Sequence, residues 1–220
     1  MQGGISDPLD AHSLAVAVSV LARRDPVLAK CYQRLGPPPL WKRPANFATL
    51  SRIVIEQQVS LSAAKSMYER LRAMCHGKVT AASIASLDMP QLCLAGLSRQ
   101  KARYISELSS AVRRRHFSVS GLQRLDDAEV ARQIQSLLGF GAWSADIYLM
   151  MALMRRDRLP TGDLGLVKGI AEVCDQEFAS LDAIVERAER WRPWRSVATR
   201  MIWHAYLVNR GKDAHRIAAG

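Results

Sequence analysis

The residues with the clearest chemical content lie in the second half of the chain. Leu137-Leu138-Gly139-Phe140-Gly141-Ala142-Trp143-Ser144-Ala145 joins two apolar-periodic stretches through a Gly-x-Gly turn. Glycines permit a tight turn and leave backbone N–H groups uncovered where the second helix begins. Those groups and the helix dipole make an anion site, suited to a phosphate and indifferent to base sequence. The same spacing also serves a plain corner between two helices. Further on, Leu159-Pro160-Thr161-Gly162-Asp163-Leu164-Gly165-Leu166 delivers Asp163 to a helix start. Asp is a preferred N-cap, so capping alone accounts for it. A helix N-terminus also keeps a carboxylate ionised, which a charge-stabilising catalyst requires. A third segment, Trp191-Arg192-Pro193-Trp194-Arg195-Ser196, precedes Trp203 on the same helical run. Arg192 and Arg195 suit phosphates. Pro193 suits the first turn of a helix. Trp143 and Trp203 together can sandwich a flat group, although tryptophans at helical spacing also fill cores.

The elements that must position these residues are helical. Leu14, Val18, Leu21 and Ala22 give a first helix that ends near Arg23-Arg24, and Gly36-Pro37-Pro38-Pro39 follows as an extended connection. A helix runs from Asn46 to about Gln57, and Ser60 and Ser62 offer caps for the next. Short helices are expected around Ala81–Leu87 and Pro90–Ala95, and a longer one opens at Leu97-Ser98 and closes on Arg113-Arg114-Arg115. Asp126 and Asp127 cap the helix before the hairpin, Asp163 opens another, and helices around 183–191 and 193–208 complete the pattern. Alternating β-branched runs are nearly absent, and no internal repeat is found. The expectation is an all-α protein of about ten helices, in two lobes around a cleft.

Composition narrows the class. The 220 residues are 49% hydrophobic and 23% charged, which excludes a disordered chain, a collagen-like repeat and a coiled coil. The net charge is +11, carried by 24 arginines and only 7 lysines. Arginine's planar fork suits phosphate, so the excess points to nucleic acid, although genomic composition also produces Arg-rich proteins. No window approaches about 18 consecutive apolar residues, so no membrane span or membrane partner is expected. Asp7, Asp10 and His12 interrupt the N-terminus where a secretory signal needs an apolar run. Cys31, Cys75, Cys93 and Cys174 form no CxxC pair, so neither a metal site nor a cofactor is expected, and the thiols fit an intracellular, unsecreted protein.

Taken in order, these motifs resemble the helix-hairpin-helix DNA glycosylase superfamily, and within it the DNA-3-methyladenine glycosylase II branch. The resemblance covers nearly the whole chain from Arg24. Arg24-Asp25-Pro26 and Pro37-Pro38-Pro39-Leu40-Trp41-Lys42-Arg43-Pro44 are similar to the family's leading segment. Ile53-Val54-Ile55-Glu56-Gln57-Gln58-Val59-Ser60 is similar to its helix break. Gly96-Leu97-Ser98-x-x-Lys101, the hairpin, Gly162-Asp163-Leu164-Gly165 and Trp-x-Pro-Trp-Arg-Ser at 191–196 also match. The resemblance implies a catalytic carboxylate at Asp163 and pocket tryptophans at Trp143 and Trp203. It implies a duplex wedge at Gln58 and a phosphate-binding hairpin at Gly139, Phe140 and Gly141. Leu138 departs from the proline usual in the hairpin. Trp143 stands where strand-cutting relatives place a lysine, so no Schiff-base amine is offered there. The cysteine cluster of the endonuclease III branch is absent.

The resemblance implies an enzyme that flips and hydrolytically excises alkylated purines from damaged double-stranded DNA, without lyase activity, in base excision repair. It is expected to act as a monomer, in the bacterial cytoplasm or, in a eukaryote, the nucleus. Residues 1–45 are expected to pack on the core as an N-terminal helix and Pro-rich segment. Residues 46–210 form the glycosylase domain and 211–220 a tail. A same-fold glycosylase for deaminated or mismatched bases, and a non-catalytic DNA-binding hairpin module, are the competing readings.

Overall fold

Short polar side chains start most of the helices. In the computed structural model, which describes residues 8–218, the chain forms α1 (Ala11–Arg24), α2 (Pro26–Leu35), α3 (Phe47–Glu56), α4 (Leu61–Met74), α5 (Ala81–Ala85), α6 (Met89–Leu94) and α7 (Arg99–Arg113). A 3-10 turn (Leu122–Arg124) leads to α8 (Asp127–Gln135), α9 (Ala142–Met151), α10 (Leu164–Cys174), α11 (Leu181–Glu189), α12 (Arg195–Val208) and α13 (Ala214–Ala218). Asp10, Asn46, Ser60, Ser98, Asp126 and Asp163 each accept a hydrogen bond from the backbone N–H three residues on. Such caps satisfy amides that have no intrahelical acceptor. The described residues are thus helical and contain no strand, as the apolar periodicity predicts. The first seven residues, including Asp7 and the start of the expected N-terminal segment, and the last two of the tail lie outside the described residues.

Thirteen α-helices are present among the described residues, against about ten expected. The sequence reading has no helix at 26–35. There Asp25 caps α2 through Val27 N–H, and Pro26 takes the first helical position. The short α13 is also additional. Pro193 lies before α12 rather than in its first turn, because Trp194 N–H closes a turn onto Trp191 C=O and the helix starts at Arg195.

The chain divides into two compact units. One takes Arg43–Tyr148, and the other runs up to Lys42 and resumes at Leu149. In the first, buried residues include Leu50, Ile53 and Val54 of α3, Leu71 of α4, Ile105 and Leu108 of α7, and Val130 and Ile134 of α8. The helix α7 packs on α3, α5 and α6.

In the second unit, Leu14, Ala17, Val18 and Leu21 put the buried face of α1 at helical spacing. They share a core with Leu28, Ile170, Trp191 and Ile202. A Cβ on Gly169 would lie 2.7 Å from Ile202 Cγ2, so the missing side chain lets α10 lie close on α12. Two buried charges brace this unit. Asp25 accepts from Trp191 Nε1 at 2.7 Å and pairs with Arg187. Burial alone would raise the Asp25 pKa, but the bonds from Arg187 and Trp191 outweigh it and hold the carboxyl below its usual range. Fully buried Arg200 donates to the carbonyls of Leu40, Ser196 and Met150, and burial lowers its pKa to about 10.

Candidate functional site

The two hairpin glycines meet different requirements. Gly139 has φ +84°, and a Cβ there would fall 2.1 Å from the Tyr104 ring, so both the backbone and a close neighbour demand glycine. Gly141 is exposed, and a Cβ there would meet nothing within 4 Å. Its value is the open approach that it leaves to the start of α9. The Phe140 side chain is buried, so it anchors the turn and only its backbone can serve a phosphate. Phe140 N–H closes the turn onto Leu137 C=O at 3.1 Å, and Ala145 N–H bonds Gly141 C=O at 3.2 Å to begin the helix. Leu138 is exposed. Trp143 stands partly buried on the first turn of α9.

At the end of α3 the chain breaks sharply. Gln58 is exposed and has φ +56°, a left-handed backbone uncommon outside glycine. Ser60 Oγ then caps α4 by accepting from Ala63 N–H at 3.2 Å. Two residues inside the motifs hold this break, though the sequence reading gave neither a role. Lys101 Nζ donates to the carbonyls of Ile55 (2.7 Å) and Gln57 (2.8 Å), and burial pulls its pKa down. Gln57 Nε2 donates to Gly139 C=O (2.9 Å) and Ser144 Oγ (3.2 Å). The sequence carried a signal for both, since the Ile53–Ser60 and Gly96–Lys101 motifs contain them. Spacing alone gave no partner.

Asp163 caps α10 and is partly buried. Its Oδ1 accepts from Leu166 N–H at 2.7 Å and from Trp203 Nε1–H at 2.9 Å. A Cβ on Gly165 would come within 3.0 Å of the same oxygen, so glycine keeps the carboxylate uncrowded. Trp203 therefore orients the carboxylate, a contact that its spacing did not reveal. Trp41 meets Trp203 edge-on, with centroids 6.1 Å apart and planes at 80°. Trp41 itself is buried with φ +46°, an outlier for so bulky a residue, and Arg200 fixes the carbonyl just before it.

Arg192 and Arg195 are both ion-paired within the chain. Arg192 donates to Asp157 Oδ2 (2.8 Å) and Glu189 Oε2 (2.6 Å). Arg195 grips both Asp157 oxygens at 2.8 and 3.0 Å. A phosphate arriving here would have to displace carboxylates from both guanidiniums. Among the described residues no group of three or more His, Cys, Asp or Glu gathers at metal-binding range.

The all-helical fold is one that known proteins share. Residues 51–194 match the HhH-GPD superfamily base excision DNA repair protein family. YfjP of Bacillus subtilis, which carries the name of a DNA-3-methyladenine glycosylase, is 25% identical over 166 residues, 71% of this chain and 57% of the relative. The DNA-3-methyladenine glycosylase of Saccharomyces cerevisiae is 28% identical over 135 residues, 57% of this chain and 46% of the relative. The chain thus spans about half the length of these curated relatives. Among solved structures, Schizosaccharomyces pombe Mag1 with abasic DNA superposes with a TM-score of 0.77 at 21% identity, covering 86% of this chain and 95% of that one. A Bacillus halodurans DNA-3-methyladenine glycosidase gives 0.74 at 24% identity, covering 90% and 92%. At these identities the likeness establishes the fold. The chain belongs to the HhH-GPD superfamily of base excision DNA repair proteins.

Proposed function

We propose that this protein is a monofunctional DNA glycosylase that flips alkylated purines of the 3-methyladenine and 7-methylguanine type out of duplex DNA and excises them by hydrolysis. The observation that carries the reading is Asp163, set at the α10 N-terminus with its Oδ1 held by Leu166 N–H and Trp203 Nε1–H. The relatives named for DNA-3-methyladenine glycosylase activity support the substrate class. Residues 46–210 are the glycosylase domain in this reading, acting as a monomer.

The chemistry follows from charge. The hairpin holds a phosphate without reading sequence. Gln58 enters the stack as the damaged base leaves it. Alkylation at N3 or N7 makes the purine cationic, and the indole face of Trp143 attracts that cation. The C1′–N9 bond breaks with its electron pair going to the base, which departs neutral, so no general acid is needed. Positive charge appears on the sugar, and Asp163 stabilises it while water adds to C1′ and releases a proton. Trp143 offers no amine to form a Schiff base, so the strand stays uncut.

Asp163→Asn tests the reading. Asn caps a helix about as well as Asp, so melting should barely change. Loss of the charge opposite the sugar cation is worth on the order of 3 kcal/mol, or about 100-fold in single-turnover excision. Near-normal excision would reduce Asp163 to a cap and overturn the proposal.

A further inference from the structure

The wedge turn and the hairpin are joined by Gln57, and a third element, α7, contacts both. Gln57 Nε2 reaches across the hairpin turn to Gly139 C=O and to Ser144 Oγ on the first turn of α9. Lys101, near the start of α7, takes the carbonyls of Ile55 and Gln57. Those are carbonyls of the last turn and the C-cap of α3, which a helix end leaves without partners. Tyr104 lies three residues on, on the same face of α7, and its ring fills the space a Gly139 side chain would need. One helix therefore holds the break with Lys101 and seats the hairpin with Tyr104, and Gln57 closes the triangle. The left-handed backbone of Gln58 persists because its surroundings fix it.

We infer that Gln57 and Lys101 are positioning residues that hold the Gln58 turn at a fixed offset from the phosphate-gripping hairpin, so that gripping the backbone sets where the wedge enters the base stack. The inference rests on the reading of Gln58 as wedge. The hairpin binds any phosphate alike, so it supplies no lesion position by itself. Bases stack about 3.4 Å apart along a strand, so slack of an ångström or two in the offset would misplace the wedge by a large fraction of one step. A two-acceptor amide and a partly buried ammonium remove that slack without touching DNA.

The test uses the full chain carrying Gln57→Leu, which keeps most of the side-chain volume and removes both bonds. Binding is measured on undamaged duplex. Base unstacking is read from the fluorescence of 2-aminopurine placed beside a tetrahydrofuran abasic analogue. Base release is compared for a paired lesion and for the same lesion opposite an abasic gap, where flipping costs little. Affinity for undamaged duplex should stay within about twofold, because the hairpin backbone is intact. Unstacking and paired-lesion excision should fall about tenfold or more, and the gapped substrate should recover most of the excision. Ser144→Ala, which removes one of the two acceptors and is tolerated by a buried helix position, should show a smaller loss in the same direction. Unchanged unstacking in both variants would overturn the inference. Equal loss on paired and gapped substrates would overturn it as well, since that is damage to the fold rather than to positioning. The fluorescence reading needs no base release. A wild type that excises nothing would therefore sink the proposed function while the unstacking comparison still decides the role of Gln57.

Discussion

At the scale of single residues, the environment of Asp163 separates orientation from charge. Trp203→Phe keeps an aromatic ring beside Trp41 but removes the indole donor to Oδ1. A hydrogen bond to a charged group contributes about 1.5–3 kcal/mol, so single-turnover excision should drop roughly tenfold while the melting temperature changes little. A variant with unchanged excision would show that the Leu166 N–H bond suffices to orient the carboxylate. The Asp163 cap was legible in the sequence because capping is local: the residue and its partner Leu166 are three apart. The indole bond was not, because Trp203 lies on another helix and spacing does not say which helices meet. The same limit governs Arg192 and Arg195. Their charge suggested phosphate, and spacing did not show that Asp157, brought in from a distant loop, pairs with both. Asp157→Asn removes the charge that both guanidiniums share and leaves each paired with Glu189, so it should lower the melting temperature without lowering DNA affinity.

At the scale of elements, the hairpin offers paired tests. Gly139→Ala places a Cβ inside the Tyr104 ring on a left-handed backbone, a cost of about 2 kcal/mol or more. For a chain of this size that is a melting loss of about 5 °C or more by calorimetry. Gly141→Asp has room for its side chain and should melt normally. It puts a negative charge where a phosphate should approach, so affinity should fall alike for damaged and undamaged duplex, with a shallower salt dependence. A loss confined to lesion DNA would show that the hairpin is not the phosphate anchor. The Gly-x-Gly turn announced both positions equally, and only the neighbouring Tyr104 distinguishes them. The helix break was likewise legible as a motif, whereas Gln57 and Lys101 bond to carbonyls of other elements, which no local pattern encodes. At the C-terminal end, buried His204 meets His215 of α13 edge-on at 5.3 Å. Burial foremost, and then the His215 charge, lower its pKa. Below its unfolded pKa of about 6.5 the unfolded chain binds a proton that the folded chain resists, so stability falls as pH drops through that window. Melting curves at pH 7.5 and 5.5 should show a smaller acid loss in His204→Asn than in the wild type.

At the scale of the whole molecule, composition, periodicity and caps made the all-helical architecture legible, because each helix start is written in a few adjacent residues. The two-unit division, in which α1, α2 and the segment up to Lys42 join the residues from Leu149 onward, was not. It depends on packing between segments far apart in sequence, such as α1 and α2 on α12. The +11 charge fits a polyanion partner, and affinity for duplex should weaken as salt rises. The most direct test of the whole reading is base release from a duplex carrying a single 3-methyladenine or 7-methylguanine, analysed with and without alkali and with borohydride. We expect free methylated base, an intact strand that alkali alone cuts at the abasic site, and no borohydride-trapped adduct. Absence of base release, or strand cleavage and trapping without alkali, would contradict it.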